Sequence, residues 1–436
     1  MGRFEREALT VKEALERVMA HVPAGNLEKV KLEESIGRRL ASDVHASHPV
    51  PHFRRSGMDG YAVRSSDTAG ASAERPVLLE VVETVPCGSI AQRQLQPGQA
   101  ARIMTVPCGS IAQRQLQPGQ AARIMTGAAV PDEADAVIMF EMTASVQRNG
   151  RTYAAVRKEM RPGANVTPVA QEMPQGELIL EAGRLIGAGE AALLAMFGHA
   201  SVPVYKRPRV AIFATGTELL RVEEQLQAGR IRNSNGYMLA ALVQEAGALP
   251  DIKVTIPDKV ETAKSAILAA MDEYDLVLTT GGVSVGDYDV LYDMVANWDG
   301  KLLFNKLRMR PGSPTTAGIY KDRLLLALSG NPGACYVGFI LFAKPVLLGM
   351  QGGKQPVQRE QRAYLATDYG KDNKFTRYVR SKLEFREGQV WIRPACNDAS
   401  SMTTSIKDAD CLMVIPPHSG KIAAGELVSF VPIKHL

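Results

Sequence analysis

The chain of 436 residues and 47.2 kDa has room for roughly three domains of about 150 residues each, and its 45% hydrophobic content is that of a globular rather than a disordered protein. A net charge of +5, evenly scattered, is too small for a nucleic-acid stripe or a polybasic membrane arm, so an anionic partner should be a small molecule. The five cysteines, Cys87, Cys108, Cys335, Cys396 and Cys411, are odd in number and never in C-x-x-C spacing, which predicts reduced thiols in a cytoplasmic protein.

Along the chain, the charged first seven residues predict no secretory leader. Thr10 followed by Glu13 is a capping box, and Val11, Ala14, Leu15, Val18 and Met19 give a first helix its apolar face. His45, His48 and His52 are spaced like possible metal ligands, but Pro49 and Pro51 among them and the lack of a nearby cysteine favour a loop over a zinc site. From residue 49 to about 146, short alternating runs such as 77–84 and 134–140 are separated by turn residues and predict a small β domain. Inside it, residues 85–105 read VPCGSIAQRQLQPGQAARIMT, and residues 106–126 repeat all 21 without a difference. A solenoid stacks about three or more units, so two identical copies point instead to a recent tandem duplication or an artefact. One copy's worth of chain is expected to leave the domain as a loop, and Cys87 and Cys108 are one cysteine counted twice.

After a helix at 188–197 the grammar changes to strand followed by helix. Strands are predicted at 210–214, 251–256, 276–280 and 324–328, and helices at 237–245, 260–271 and 334–342. This alternation predicts an α/β fold, a doubly wound and mostly parallel sheet with helices on both faces and ligands beyond the carboxyl ends of its strands. The apolar run 334–350 is expected to break at Lys344-Pro345, short of the roughly 20 residues that span a bilayer, and to be a buried helix. Short alternating strands return after Gly352-Gly353. The expected organisation is α/β plus β and multidomain: an N-terminal and linker part (1–50 and 148–206), the small β domain (51–147), the α/β domain (207–354) and a C-terminal β domain (355–436).

Three strand ends of the α/β domain carry unusual residues. The first is Thr215-Gly216-Thr217-Glu218, whose carboxylate is either functional or a helix cap. The second, Thr280-Gly281-Gly282-Val283-Ser284-Val285-Gly286-Asp287-Tyr288-Asp289, offers glycines that let backbone N–H groups approach an anion, with Asp287 and Asp289 to hold a hard cation such as Mg²⁺. It is neither a Walker loop nor G-x-G-x-x-G, but it does match G-x-S-x-G, so a serine hydrolase with Ser284 as nucleophile is an alternative. Against that alternative, the downstream histidines His418 and His435 both fall in the C-terminal β domain. The third, Ser329-Gly330-Asn331-Pro332, runs from a strand into a helix, either as an anion site or as a tight turn. Between the second and third, Lys306, Arg308 and Arg310 alternate with Leu307 and Met309, placing three cations on one strand face before the turn Pro311-Gly312-Ser313-Pro314. Asp258 adds a carboxylate at a further strand end, and cations beside carboxylates at one sheet edge suit a phosphorylated substrate.

Together these motifs resemble the MoeA family, the molybdopterin molybdenumtransferases, to which the E domain of animal gephyrin is related. The resemblance covers nearly the whole chain and includes Ser56-Gly57-Met58-Asp59-Gly60-Tyr61-Ala62-Val63 and Arg123-Ile124-Met125-Thr126-Gly127-Ala128 besides the three strand-end motifs. It implies a central MoaB/MogA-like α/β domain and insertion of molybdenum from molybdate into adenylylated molybdopterin, with Mg²⁺-dependent release of AMP. By the same resemblance Asp258 and Asp289 would handle the cation and the pyrophosphate linkage, Glu218 would lie beside the reacting centre, and Lys306 and Arg310 would hold oxyanions. The substrate-binding set would comprise Thr215, Gly281, Gly282, Ser284, Ser329, Gly330, Asn331, Pro332 and Ser400. Asp59 and Thr126 would serve the site of the partner copy in a homodimer. The implied partners are the molybdopterin adenylyltransferase and recipient molybdoenzymes or their chaperones, with no nucleic acid and no membrane.

The chain departs from the family pattern in places. Ser329 replaces a frequent Pro, Ser313 a common Lys, Ala170-Gln171-Glu172 a usual Gly-Glu-Asp and Thr167 a frequent Arg, while Asp398-Ala399-Ser400-Ser401 only weakly resembles Gln-Gly-Ser. A non-catalytic scaffold of the gephyrin kind is the other alternative, although a pure scaffold would not require the carboxylates.

Overall fold

The computed structural model describes residues 7–85, 116–253, 260–281, 299–372 and 374–433. The chain forms two compact units, one from residues up to 42 together with 181 onward, the other from residues 43–180.

The larger unit is organised by a six-stranded sheet in the spatial order Leu249–Ile252, Arg209–Ala214, Leu276–Thr280, Arg323–Leu328, Thr316–Tyr320, Lys301–Phe304. The first four strands pair parallel, Thr316–Tyr320 runs antiparallel to them, and Lys301–Phe304 pairs antiparallel with Thr316–Tyr320. Successive residues of one strand feed opposite faces: Val210 and Ile212 join the core that holds helix Ser234–Glu245, whereas Ala211 and Phe213 join the core that holds helix Val260–Glu273. Burial on both faces is why these strands read as continuous apolar runs.

Two elements differ from the sequence pattern for physical reasons. Helix Ser234–Glu245 starts three residues before the predicted 237 because Asn233 caps it, its Oδ1 accepting the Gly236 N–H at 2.9 Å, and the polar Ser-Asn-Gly start carries no apolar period. The helical run that begins at Pro332 does not break at Lys344-Pro345. It passes from an α-helix, Pro332–Gly338, through a π turn, Phe339–Ala343, into a second α-helical stretch, Lys344–Met350. The wider turn just upstream accommodates the proline ring and its missing N–H. At 19 residues the run is long and apolar enough to cross a membrane by those criteria alone, but it is mostly buried and packs its Phe339, Phe342 and Leu347 into the main core.

The N-terminal helix Val11–Met19 has the expected capping box and adds Ala14 and Val18 to the same core. Strands Leu27–Lys31 and Ser201–Tyr205 pair antiparallel near helix Ala188–Met196. Beyond residue 360 the sheet order Thr376–Arg386, Gln389–Pro394, Gln361–Leu365, Leu427–Pro432, Cys411–Ile415 closes on itself, because Thr376–Arg386 also pairs with Cys411–Ile415. This is a small closed barrel, with Leu365, Ile392, Met413 and Phe430 inside.

The second unit is an open six-stranded half-barrel in the order Ala136–Met139, Gly60–Val63, Gln120–Ile124, Val77–Val85, Arg151–Val156, Thr143–Arg148. Val85 is the first residue of the first duplicated copy, and Gln120–Ile124 comes from the second; their strands pair parallel, Val85 opposite Ile124. The loop expected from the extra copy lies outside the described residues, as do Cys87 and Cys108. Among the described residues Cys335, Cys396 and Cys411 are free thiols.

Candidate active site

Ala214, Thr280 and Leu328 end three neighbouring parallel strands, so the turns after them pass one another at strand spacing. Gly281 makes that passage possible: its φ is +96°, and a Cβ there would sit 2.5 Å from the Thr215 carbonyl oxygen. A Cβ on Gly330 would in turn lie 3.3 Å from Gly281 Cα. The Thr215 N–H donates to the Thr280 carbonyl at 2.9 Å, and the Gly281 N–H to the Leu328 carbonyl at 3.2 Å. The Gly281 amide is thus committed to the fold rather than presented to an anion.

These turns form one wall of a cleft of about 1250 Å³ within the larger unit. Of the residues singled out from the sequence, Thr215, Glu218, Gly281, Arg310, Ser329, Gly330, Asn331, Pro332 and Ser400 all line it. The Glu218 carboxylate folds back over Gly216, within 2.6 Å of where a Cβ of that glycine would stand. Asp258, Gly282, Ser284 and Asp289 lie outside the described residues, as does Asp287.

Lys306 is not among the lining residues. Leu307 and Met309 are buried while Arg308 and Arg310 are exposed, so the side chains alternate across this segment as period 2 requires. The Lys306 carbonyl accepts the Leu9 N–H at 3.1 Å and the Arg308 N–H donates to the Leu9 carbonyl at 2.7 Å, which ties that stretch to the N-terminal segment. Arg310 reaches the cleft because the turn Pro311–Pro314 enters it alongside. Ser313, where a lysine is common in the family, uses its hydroxyl locally, donating to the Leu307 carbonyl at 2.7 Å.

Sequence reasoning missed two parts of this cleft. Arg232, Asn233 and Asn235 line it from the start of the Ser234–Glu245 helix. The Asn-Ser-Asn-Gly run there was a readable cap signal with no functional flag. From the barrel, Arg377 on strand Thr376–Arg386 and Asp398 also contribute, beside Ser400, the one residue of that loop the resemblance had marked for substrate. Asp398 is 6% exposed and accepts from Arg377 Nη2 at 2.9 Å, from Tyr369 Oη at 3.2 Å and from Lys371 Nζ. Burial pushes the Asp398 carboxyl up, but the Lys371 and Arg377 contacts overcome it and hold the group below its ordinary value. Burial likewise opposes the Arg377 charge, and pairing with Asp398 overrides it. Asn331 Nδ2 donates to Ser400 Oγ at 3.3 Å, joining the strand-end turn to the barrel loop. Among the described residues the cleft presents Arg232, Arg310 and Arg377 against the carboxylates of Glu218 and Asp398, and Lys371 adds a further cation on Asp398, a balance that suits an anionic ligand.

Among the described residues no three His, Cys, Asp or Glu side chains gather as a metal site. Mg²⁺ uses one or two carboxylates plus substrate phosphate oxygens, so Glu218 at the cleft fits such an ion without a dedicated cage. His48 and His52 meet edge to face, their ring centroids 5.8 Å apart. His418 is not among the cleft residues; its Nδ1 lies 3.2 Å from the Pro416 carbonyl oxygen.

In the half-barrel unit, the backbone N–H and Oγ1 of Thr126 both donate to Asp59 Oδ1 at 2.6 Å. These bonds draw the Asp59 carboxyl below its ordinary value. Thr167 pairs in register with Arg55, and Ala170, at φ +63°, donates its N–H to the Pro51 carbonyl at 3.0 Å.

Comparison with known proteins covers both units. The MoeA N-terminal region (domain I and II) matches residues 9–108 and again 106–198, its two matches meeting inside the duplication. A probable molybdopterin binding domain matches 211–349, and the MoeA C-terminal region (domain IV) matches 362–433. The chain is 40% identical to the molybdopterin molybdenumtransferase of Bacillus subtilis, covering 99% of this chain and 95% of that one. It is 36% identical to the Staphylococcus epidermidis protein of the same name, covering 99% and 97%. The crystal structure of a molybdopterin biosynthesis MoeA protein from Pyrococcus horikoshii superposes with a TM-score of 0.81 at 28% identity, covering 99% of this chain and all of that one. Neither the serine hydrolase nor the non-catalytic scaffold gains support from these relatives. The chain belongs to the MoeA family of molybdopterin molybdenumtransferases.

Proposed function

We propose that this protein inserts molybdenum from molybdate into adenylylated molybdopterin and releases AMP. The observation that carries the reading is the cleft, where hydroxyl and amide donors from two strand-end turns, three arginines and two carboxylates converge at the carboxyl ends of a parallel sheet. In this reading Arg310 and Arg377 hold oxyanions, Ser329, Asn331 and Ser400 orient the phosphate-bearing substrate, and Glu218 stands beside the reacting centre. Asp258 and Asp289 would hold Mg²⁺, which when bound neutralises charge on the phosphate oxygens. The protein works in the cytoplasm as a homodimer, Asp59 and Thr126 of one copy serving the cleft of the other. It takes substrate from the molybdopterin adenylyltransferase and passes product to molybdoenzymes or their chaperones. The four-part domain division read from the sequence belongs to the same proposal.

The test is AMP release by the purified protein given adenylylated molybdopterin and molybdate. Asp289→Asn should abolish molybdenum insertion while substrate binding survives, and unchanged turnover would sink the assignment. Ser284→Ala should reduce the rate modestly, whereas a hydrolase nucleophile would lose nearly all of it.

A further inference from the structure

Asp59 and Thr126 stand on one rim of the half-barrel, and a third side chain of that rim, Arg123, is not used by the reaction as read above. The rim is where strand Gly60–Val63 begins and where strands Gln120–Ile124 and Ala136–Met139 end, Gly60 lying opposite both Ile124 and Met139. A Cβ on Gly60 would run into the Ile138 carbonyl oxygen, so these strands close up only because residue 60 has no side chain. The Asp59 carbonyl accepts the Phe140 N–H at 3.2 Å, which fastens the end of Ala136–Met139 to the start of Gly60–Val63.

Arg123 projects from this rim. Its neighbours Ala122 and Ile124 are buried on one side of the sheet, whereas Arg123 shares the other side with Ala121 and, across the neighbouring strands, with Tyr61 and Ile138. Its guanidinium carbon lies 5.0 Å from the centroid of the Phe140 ring, and that ring meets Tyr61 edge on with centroids 5.3 Å apart. Stacking of this kind fixes the guanidinium plane but uses none of its N–H donors. Among the described residues Arg123 makes no ion pair within 4.0 Å, although Asp59 is on the same rim; Asp59 Oδ1 is taken instead by the N–H and Oγ1 of Thr126, both at 2.6 Å. A cation and a carboxylate are thus held on one rim without neutralising each other. An arginine that served only solubility would need no aromatic support.

We propose that Arg123 is a third residue that the half-barrel brings to the partner copy's cleft, where its free N–H fork binds phosphate oxygens of the adenylylated substrate. The fork matches a pair of phosphate oxygens, and Thr126, by holding Asp59, leaves that fork available for the ligand. The inference rests on reading the half-barrel of one copy as serving the cleft of the other.

The experiment compares the full-length wild type with Arg123→Met, which keeps the contact with the Phe140 ring but loses charge and fork, and with Arg123→Lys, which keeps the charge alone. KM and kcat for adenylylated molybdopterin are measured by AMP release, and Kd for AMP by calorimetric titration, each at low and high salt. For Arg123→Met we expect KM and Kd to rise about threefold or more at low salt, with kcat within about twofold and a weaker salt dependence. Arg123→Lys should regain the salt dependence but only part of the affinity. A smaller rise in KM and Kd, or an unchanged salt dependence, overturns the proposal. With Asp289→Ala subunits in excess, Arg123→Met copies sit in mixed dimers whose one competent cleft is served by an intact Arg123, so KM should return to the wild-type value. A KM that stays raised overturns the placement across copies. A wild type that binds AMP but does not release it from substrate defeats the functional reading alone, and the titration still decides on Arg123.

Discussion

Asn235 holds Gly330 in place: its Nδ2 donates to the Gly330 carbonyl at 2.8 Å and, with its other hydrogen, to Thr280 Oγ1 at 2.8 Å. One amide group thus ties the start of a helix to the turns after two different strands. Asn235 Oδ1 and Thr215 Oγ1 are buried without protein partners among the described residues, so this corner holds unused hydrogen-bonding capacity. Asn235→Asp preserves shape but puts an acceptor against the Gly330 carbonyl. It should cost about 1–3 kcal/mol of stability in chemical denaturation. It should also raise KM for adenylylated molybdopterin several-fold, since both turns lose their common anchor. Wild-type stability and KM in the variant would show that the tie is incidental.

Which parts of this site are legible in a sequence follows from how each residue reaches it. Thr215, Gly281 and Ser329 through Pro332 sit directly after apolar runs, so strand periodicity and the fold rule for ligands locate them together. Arg377 and Asp398 arrive from a barrel strand and loop more than forty residues from the nearest strand end of the sheet, and local sequence carries no mark of such a long-range meeting. Asn235 was hidden for another reason: Asn-Ser-Asn-Gly has no apolar period, so the helix was predicted from Tyr237 and its polar start was not considered. Lys306 and Arg310 share a strand face, yet the pairing of Leu9 beside Lys306 and Arg308 leaves Arg310 as the residue that enters the cleft. The fold itself was read more completely, because fully buried parallel strands are apolar throughout. The π turn before Pro345 was not legible, since no local residue preference announces it.

Asp398 makes acid sensitivity predictable in sign. Its folded carboxyl lies below the ordinary value of 3.8, so its stabilising contribution is complete above that value and is lost as pH falls through the lower folded value. Thermal unfolding followed from pH 6 to pH 3 should show the wild type losing stability more steeply than Asp398→Asn. At neutral pH the same substitution should cost about 2–3 kcal/mol, below the usual figure for a buried pair because Lys371 is half exposed. Parallel pH profiles for the two proteins would refute the assignment of this carboxylate as the acid-sensitive group.

The homodimer reading has a direct test. Asp59→Ala and Asp289→Ala should each be inactive alone, and subunit exchange between them should restore part of the activity, because each mixed dimer contains one cleft served by both intact residues. Mass spectrometry of the mixture verifies exchange. Mixed dimers as inactive as either parent would rule out the cross-served arrangement.

The duplication gives the last prediction. Deleting residues 85–105 or residues 106–126 leaves the same amino-acid sequence, 21 residues shorter. In the half-barrel, the Val77–Val85 strand ends at the first residue of copy one, and its parallel neighbour Gln120–Ile124 is drawn from copy two. The sheet therefore uses the beginning of one copy and the end of the other, which is what a single copy contains. The family match breaks at the same place, with separate matches ending at 108 and beginning at 106. Closure entropy grows slowly with loop length, so the extra residues should cost only about 1 kcal/mol or less by that route. Their second penalty is register, since two identical segments compete for one position beside Val77–Val85. The shortened protein should unfold at an equal or higher temperature, refold with fewer slow phases, and release AMP at an equal or higher rate. Failure of the deletion variant to fold, with wild type as control, would show that the second copy has acquired contacts the half-barrel now requires.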